Sequence, residues 1–567
     1  MIKSYLIFTN KNLTKEEKTK GIIFIFLGIV QTILDLLAFS LFIPIITYAL
    51  NSDILNLNNE YLSLLYSIFS KYFDDVPKLF LIVFGVFFAK YIFSLLINFF
   101  QIKYSNDLIS STRSKLLSKF LNMKYVEIFG LKSNIITNGI ILSAERAIEI
   151  FYINTLILIS SLFHIFIFTI FLSTINLKIT IFLSLLFSIF LIFYFLLISK
   201  KINNFGVKKY EYNSSFLQNL QEIFHGFHIV KLFKIEKKLF NLFKVKAFNY
   251  GRINTLYKIL ITFPKISKEI IMLIVLIILY FFMIFLGYTN TMIVNNLTVF
   301  GIIGLRLFPQ LITVFNMMGN IKHSQFAMKI LNDELDKYQN KKEISLEEIE
   351  IKRSIEFKNI SFSYEDKGKM LFKDLNFKAS TGEIIGIEGD NGVGKSTFLK
   401  VLSSLIKPTE GEIYIDSKKL NSLNKYSWKN SISYVEQNVF LFNDSLLKNI
   451  TLDEDSNYNK EKLNDIIKGT NLKTFIESYG NGLNREISEN TSNISGGEKQ
   501  KIAICRGLYK QANFILFDES LSNIDEISIN IIKDYLKKLK NENKSIIIIS
   551  HKKDILSICD KIYNLKD

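Results

Sequence analysis

Gly389-Asp390-Asn391-Gly392-Val393-Gly394-Lys395-Ser396 spells a Gly, four residues, then Gly-Lys-Ser, the spacing of a loop that cradles phosphate. Before it, Glu383-Ile384-Ile385-Gly386-Ile387-Glu388 has the composition of a short buried strand. After it, Thr397 to Leu405 has the pattern of a helix. That strand–loop–helix context is what the spacing requires. Gly389, Gly392 and Gly394 let the backbone turn its N–H groups onto phosphate oxygens. The positive end of the helix faces the same anion. Lys395 is placed to reach the β and γ phosphates and the Ser396 hydroxyl to ligate Mg²⁺, while Asp390, Asn391, Val393 and Thr397 complete the nucleotide-binding stretch. A Gly-rich turn opening an ordinary helix would not explain strand, spacing and helix together. The implied ligand is a nucleoside triphosphate, with Mg²⁺.

Further along, Ser431 to Val435 reads as a strand followed by Gln437. Asn493-Ile494-Ser495-Gly496-Gly497-Glu498-Lys499-Gln500 opens a helix, and two glycines after a serine at a helix start make a second anion site. Asn513 to Glu519 is an apolar strand ending in two carboxylates. There Asp518 can hold the metal and Glu519 can polarise the attacking water. Ile546 to Ile549 is another buried strand, ending in Ser550 and His551. At the carboxyl end of such a strand, where open sheets bind ligands, a γ-phosphate contact is preferred over a surface histidine. Tyr364 ends a strand-like Ile355–Tyr364 and reads equally as a core aromatic or as a base-stacking one.

The 567 residues exceed one soluble domain, and 49% are hydrophobic, with 52 Phe, 5 Pro and only 21% charged. This suits a membrane protein that carries a soluble domain. The net charge of +17 does not form a stripe interleaved with aromatics, so no nucleic-acid partner is inferred. Many lysines instead flank apolar runs, as the positive-inside bias expects. Cys505 and Cys559 lie together in the nucleotide-binding half and do not make a disulfide framework.

Runs of membrane-spanning length fall near residues 21–50, 79–100, 150–172, 180–198, 270–287 and 299–317. The polar Met1–Lys20 lacks a cleavage site of small residues and is not read as a removable signal. Asn51 to Pro77 is acidic and reads as outside, with an amphipathic helix from Tyr61 to Tyr72. Gln101–Leu131 and Lys200–Lys268 are basic and read as cytoplasmic. So the expected topology is six spans, both termini inside, with domains at 1–325 (membrane), 326–350 (linker) and 351–567 (nucleotide-binding). Lys90 and Arg306 lie in apolar spans and Lys265 starts one. Intramembrane charges are expensive and usually face a cavity. Lys265 reads as snorkelling to headgroups, and for Lys90 and Arg306 snorkelling and a cavity role stand level.

The order phosphate loop, Gln, Ser-Gly-Gly, strand-Asp-Glu, strand-His resembles the ATP-binding cassette ATPases, and six spans before it resemble the exporter half-transporters of that superfamily. The resemblance implies a type I ABC exporter-like fold: a membrane α-helical domain of six transmembrane helices followed by a cytosolic α/β P-loop ATPase domain. By it, Tyr364 is the base-stacking aromatic, Gln437 the metal- and water-sensing glutamine, and Ser495, Gly496 and Gly497 the signature. Glu489 is the acidic residue before the signature, and Ser522-Asn523-Ile524-Asp525 the D-loop. Catalysis would fall to Glu519, His551 and Gln437, and metal binding to Ser396, Gln437 and Asp518. Two cassettes would pair head to tail as a homodimer, or as a heterodimer with a related chain, each ATP lying between one phosphate loop and the other chain's Ser495 and Gly497. Departures are Ile494 for Leu and Glu498 for Gln in the signature, and Ile524 for Leu in the D-loop. Glu498 would bring negative charge near the other chain's ATP.

Within exporters, Asp35 with Pro44, the outer amphipathic segment, Lys90, Phe263-Pro264-Lys265 and Leu305-Arg306-Leu307-Phe308-Pro309 resemble the PglK type of bacterial flippase. That implies an inner-membrane translocase for a polyprenyl-diphosphate-linked oligosaccharide, with Lys90, Lys265 and Arg306 hosting the diphosphate among membrane lipids. Coupling segments are expected near Ser118–Phe129 and Phe216–Lys231. An exporter of drugs, peptides or lipid A shares the same ATPase. A regulator without turnover is disfavoured by the presence of both Glu519 and His551.

Overall fold

The structure, a computed structural model, describes residues 2–41, 76–129, 143–337, 353–364, 370–421, 425–453, 458–478, 481–488 and 494–565. The chain divides into two compact units, Met1–Leu121 with Leu131–Asn340, and Asn122–Gly130 with Lys341–Asp567.

The first unit is helical: α1 (Ile2–Asn12), α2 (Lys15–Ser40), α3 (Val76–Leu121), a π-helical turn Arg146–Ile153 running into α5 (Asn154–Ile175), α6 (Leu177–His225), α7 (Phe227–Leu232), α8 (Glu236–Ile266), α9 (Lys268–Phe285) and α10 (Asn290–Lys337). The short α4 (Tyr125–Phe129) belongs to the second unit. Thr14 caps α2 in a reciprocal box with Glu17. Asn176 alone separates α5 from α6 and caps α6 by accepting from the Ile179 N–H, so the turn between these two spans is a single residue.

Among the described residues, five stretches are long and apolar enough to cross a membrane: Lys15–Ser40, Phe80–Leu121, Arg146–Ile175, Lys268–Phe285 and Asn290–Lys322. The apolar stretch Leu177–Ile189, at the start of α6, is shorter than these. Phe84, Leu96, Phe281 and Phe285 face outward, which hydrocarbon tolerates and water does not. Phe168, Leu172, Ile179, Leu279, Met283, Val299, Phe300 and Ile303 form a core shared by α5, α6, α9 and α10.

The sequence reading separated spans from cytoplasmic segments. The structure joins them: α3, α6 and α10 run unbroken for 46, 49 and 48 residues. At 1.5 Å per residue each is about 70 Å long, over twice the roughly 30 Å hydrocarbon layer. Likewise α10 continues to Lys337, so the stretch read as a linker begins as helix. The outer loop with its Tyr61–Tyr72 helix, Pro44, Glu489 and Asn493 lie outside the described residues.

In the second unit, β1 (Ser354–Phe362), β2 (Phe372–Ser380), β4 (Glu410–Ile415) and β5 (Lys418–Lys419) form an antiparallel sheet in the order β2-β1-β4-β5, while β7 (Asp444–Ser445) pairs with β8 (Glu486–Ile487). The central sheet comprises β3 (Ile384–Glu388), β6 (Ile432–Val435), β9 (Phe514–Asp518), β10 (Ser545–Ile549) and β11 (Lys561–Asn564), all parallel, in the order β11-β3-β10-β9-β6. β9 and β10 are buried along their whole length, as continuous apolar runs in a two-sided parallel sheet must be. Because the strands are parallel, β3, β10, β9 and β6 deliver their carboxyl ends, with the loop residues next in the chain, to one edge in that order.

Candidate functional site

At that edge lies a cavity of about 800 Å³ lined by Tyr364, Asn391, Gly392, Gly394, Lys395, Ser396, Thr397, Gln437 and Glu519, with Ser363 and Leu371. Gly392 and Gly394 hold φ of +85° and +103°, a region open to glycine at no steric cost, and Gly394 caps the helix Lys395–Leu402. Gly389, Asp390 and Val393 complete the loop beneath: Val393 N–H donates to Asp390 O, and the Gly389 and Asp390 carbonyls accept from Lys395 Nζ at 2.7 and 3.2 Å.

The buried Lys395 ammonium also lies 2.9 Å from His551 Nε2 and 3.9 Å from Glu519 Oε1. Glu519 accepts from Gln437 Nε2 at 2.8 Å and stands 3.4 Å from His551 Nε2. Its backbone is left-handed at φ +49°, with its N–H donating to Ile549 O. A non-glycine residue held there carries strain that the surroundings must enforce. Here the end of β10 does so. Asp518 is 4% exposed, and both its oxygens are used: Oδ1 accepts from Ser396 Oγ at 2.8 Å, Oδ2 from the Tyr434 hydroxyl at 2.6 Å. Burial first, and then the Asp518 charge, push the Tyr434 hydroxyl far above its usual pKa, so it remains a donor.

Among the described residues no cluster of three or more His, Cys, Asp or Glu could hold a metal by itself. A hydroxyl and a carboxylate on Ser396 and Asp518 instead fit Mg²⁺, a hard ion that keeps water and phosphate oxygens in its shell.

Tyr364 is half exposed; its hydroxyl lies 3.1 Å from Thr397 Oγ1, and its ring packs edge-on against Phe362 at 5.0 Å. It is therefore at the cavity rim, not in the core. Sequence reasoning passed over Tyr434, although its next-to-last place in β6 and its alignment with Leu516 of β9 put it beside Asp518.

Ser495, Gly496 and Gly497 are not among the residues around this cavity. Ser495 caps the helix Gly496–Tyr509 in a reciprocal box with Glu498, whose carboxylate accepts from the Ser495 N–H at 2.7 Å. The Glu498 carboxylate thus also caps its own helix start, a role beyond the negative charge it brings there. Gly496 faces open space, whereas a Cβ on Gly497 would sit 2.9 Å from Asn523 O. Gln500 accepts from the Asn523 N–H, and Lys501 pairs with Asp525 at 2.8 Å. Burial alone would raise the Asp525 carboxyl, but Lys501 and the Ser528 donors hold it at about 2.

In the membrane unit, Lys90 and Arg306 come together on a residue the site reading left out. Asp35 of α2 is fully buried, 2.6 Å from Lys90 Nζ and bonded to Arg306, with His164 of α5 at 4.0 Å. Within the protein, Asp35 is the partner of Arg306. Lys265 does not join this group and is exposed on α8.

The family model for ABC transporters matches residues 372–522, which carry the phosphate loop, Gln437 and the Asp518–Glu519 pair. A solved bacterial Atm1-family ABC exporter with ATP bound matches with a TM-score of 0.79 over 98% of this chain and 94% of that one. The chain has the fold of an ABC exporter. At 18% identity the likeness speaks for the fold. A probable ABC transporter ATP-binding/permease protein of Haemophilus influenzae is 29% identical over 44% of this chain and 44% of its own length. An ATP-dependent lipid A-core flippase of Photorhabdus laumondii is 28% identical over 49% of this chain and 48% of its own. The chain thus spans about half the length of these curated relatives.

Proposed function

We propose that this protein is an ATP-hydrolysing half-transporter that flips a lipid-linked oligosaccharide, carried on a polyprenyl diphosphate, across the bacterial inner membrane. The observation that carries the ATPase reading is the convergence of Lys395, Ser396, Asp518, Gln437, Glu519 and His551 on one sheet edge. Lys395 and the loop amides hold the β and γ phosphates, and Tyr364 stacks on the base. Ser396, Asp518 and Gln437 hold Mg²⁺, which neutralises phosphate charge when bound. Glu519 orients water, and His551 meets the γ-phosphate. The domains are 1–325 and 351–567, joined by 326–350, whose first part to Lys337 is the end of α10, with both termini cytoplasmic. Ser495–Gly497 lie away from the cavity, which supports a homodimer in which each signature serves the other chain's ATP.

For the cargo, support comes from charge. Lys90 and Arg306 bring two cations to one Asp35 carboxylate, an excess that favours an anionic lipid over a cationic drug. The flippase relatives named for lipid A-core give a second reading with the same chemistry. The test is ATPase stimulation in proteoliposomes by purified lipid-linked oligosaccharide, lipid A and a cationic drug panel. Stimulation by the lipid-linked sugar supports the proposal. Stimulation by drugs alone rejects it.

A further inference from the structure

We infer that Asp35 is a resident counter-ion that the cargo's phosphate must displace, so that anion binding releases α2 from α10. This rests on the anionic-cargo reading above. The starting observation is a charge mismatch. Two cations from α3 and α10 converge on one carboxylate from α2, and the fourth member, His164, has its Nδ1 beside Thr32 Oγ1 at 3.1 Å and its ring stacked on Phe168. Buried net charge in an apolar bundle is costly unless an anion completes it.

Access separates the partners. The Asp35 side chain is 0% exposed, whereas Lys90 and Arg306 retain 14% and 25%. An arriving anion therefore meets the cations, not the carboxylate. Lys90 is fixed on its far side by the Phe39 and Phe87 rings, 4.8 and 5.1 Å from its ammonium. Arg306 has capacity to spare: its Nε finds no acceptor among the described residues. A guanidinium suits two phosphate oxygens better than one carboxylate oxygen. A phosphate that takes both donors of the Arg306 fork removes the link from α10 to α2. Asp35 is left to Lys90, which keeps α2 joined to α3. The ligand class is a lipid-borne phosphate, mono- or diphosphate, with its hydrocarbon in the bilayer. By linkage, the factor by which bound cargo weakens the Asp35–Arg306 pair is the factor by which the pair weakens cargo binding, so loosening the pair strengthens cargo binding up to that limit.

The experiment uses the full chain in proteoliposomes, measuring ATPase against undecaprenyl diphosphate in one arm and hexa-acylated lipid A in the other. Asp35→Asn should lower the half-stimulating concentration at least tenfold and raise the cargo-free rate towards the stimulated one, while Asp35→Glu keeps the parent's behaviour. An Asp35→Asn protein that still binds ATP but needs the same or more lipid overturns the inference. The arm that responds names the carrier, and silence in both arms overturns it too. Arg306→Ala separates the layers. If that variant is still stimulated, the anionic-cargo reading itself fails. If it is not, yet Asp35→Asn matches the parent, only the counter-ion role fails. Should Asp35→Asn not fold, spin labels at the exposed Leu37 and Leu305 positions in an otherwise intact chain report on α2 and α10. Their separation should grow when undecaprenyl diphosphate is added, and an unchanged distance refutes the release.

Discussion

Replacing Glu519 by Gln removes one negative charge and keeps the size of the side chain. The carboxylate accepts from Gln437 at 2.8 Å and lies 3.4 Å from His551 and 3.9 Å from Lys395. The substitution has two effects, on hydrolysis and on binding, of opposite sign. A positioned base contributes about 10²- to 10⁴-fold to rate, so its loss raises the barrier by about 2.7–5.4 kcal/mol, at about 1.36 kcal/mol per factor of ten. Nucleotide binding moves the other way. Opposite unit charges near 4 Å attract by about 4 kcal/mol at an effective dielectric of about 20, so the carboxylate competes with phosphate for the Lys395 ammonium. The neutral amide relieves that competition. The assay pairs single-turnover hydrolysis with equilibrium binding of a fluorescent ATP analogue to the full-length protein. Turnover should fall at least a hundredfold while ATP affinity holds or improves. Turnover within threefold of the parent refutes the base, and weaker ATP binding refutes the charge argument.

Lys395→Ala should weaken ATP binding by well over tenfold, because the phosphates lose their point charge; unchanged affinity in the same assay would show that the loop does not hold phosphate. Ser495→Cys paired with a cysteine in the phosphate loop should crosslink two chains when ATP is present, and an exclusively intrachain product on a denaturing gel would reject the composite site. Tyr434→Phe leaves Asp518 Oδ2 buried without its donor, at a cost of about 1.5–3 kcal/mol for a hydrogen bond to a charged group; thermal unfolding should show it, and an unshifted transition would mean water replaces the hydroxyl. The Asp525–Lys501 pair makes a stability contribution whose pH range is fixed by its shift. The Asp525 carboxyl is depressed from 3.8 to about 2, so its contribution is present above pH 3.8 and is lost as pH falls towards 2. Lys501→Met should flatten that part of the acid-unfolding curve, and an identical curve would remove Asp525 from the account.

The nucleotide half was legible because its chemistry is local. Glycines that must adopt positive φ, a lysine at fixed offset and carboxylates at a strand end all declare themselves within a few residues. Glu498 was also local, since Ser-x-x-Glu at a helix start signals a capping box. Reading it only as charge near a neighbour's ATP missed the closer N–H. Tyr434 could not be found that way. Its partner is on the adjacent strand, and only the register of β6 against β9 brings hydroxyl and carboxylate together. Asp35 stands in the sequence as a carboxylate inside an apolar run, but its bonds reach Lys90 and Arg306 across sequence separations that periodicity does not encode. Hydropathy found the apolar parts of α3, α6 and α10 and missed their continuation, because a helix leaving the bilayer changes its side chains without changing its backbone.

That continuity has a mechanical consequence. Within α3, Pro77 lies in the first turn, no other proline occurs before Leu121, and the helix runs on through Gly85 without a break. Such a helix behaves as a stiff rod. Tilting a rod about 70 Å long by about 5° carries its end through roughly 6 Å, more than one helical turn. In sequence, α4 begins four residues after that end, and within its own unit the Tyr125 ring has the ammonium of Lys400 5.7 Å from its centre. A side-chain exchange deep in the apolar part of such a rod is therefore magnified by leverage, and needs no chain of intermediate contacts to be felt at the far end.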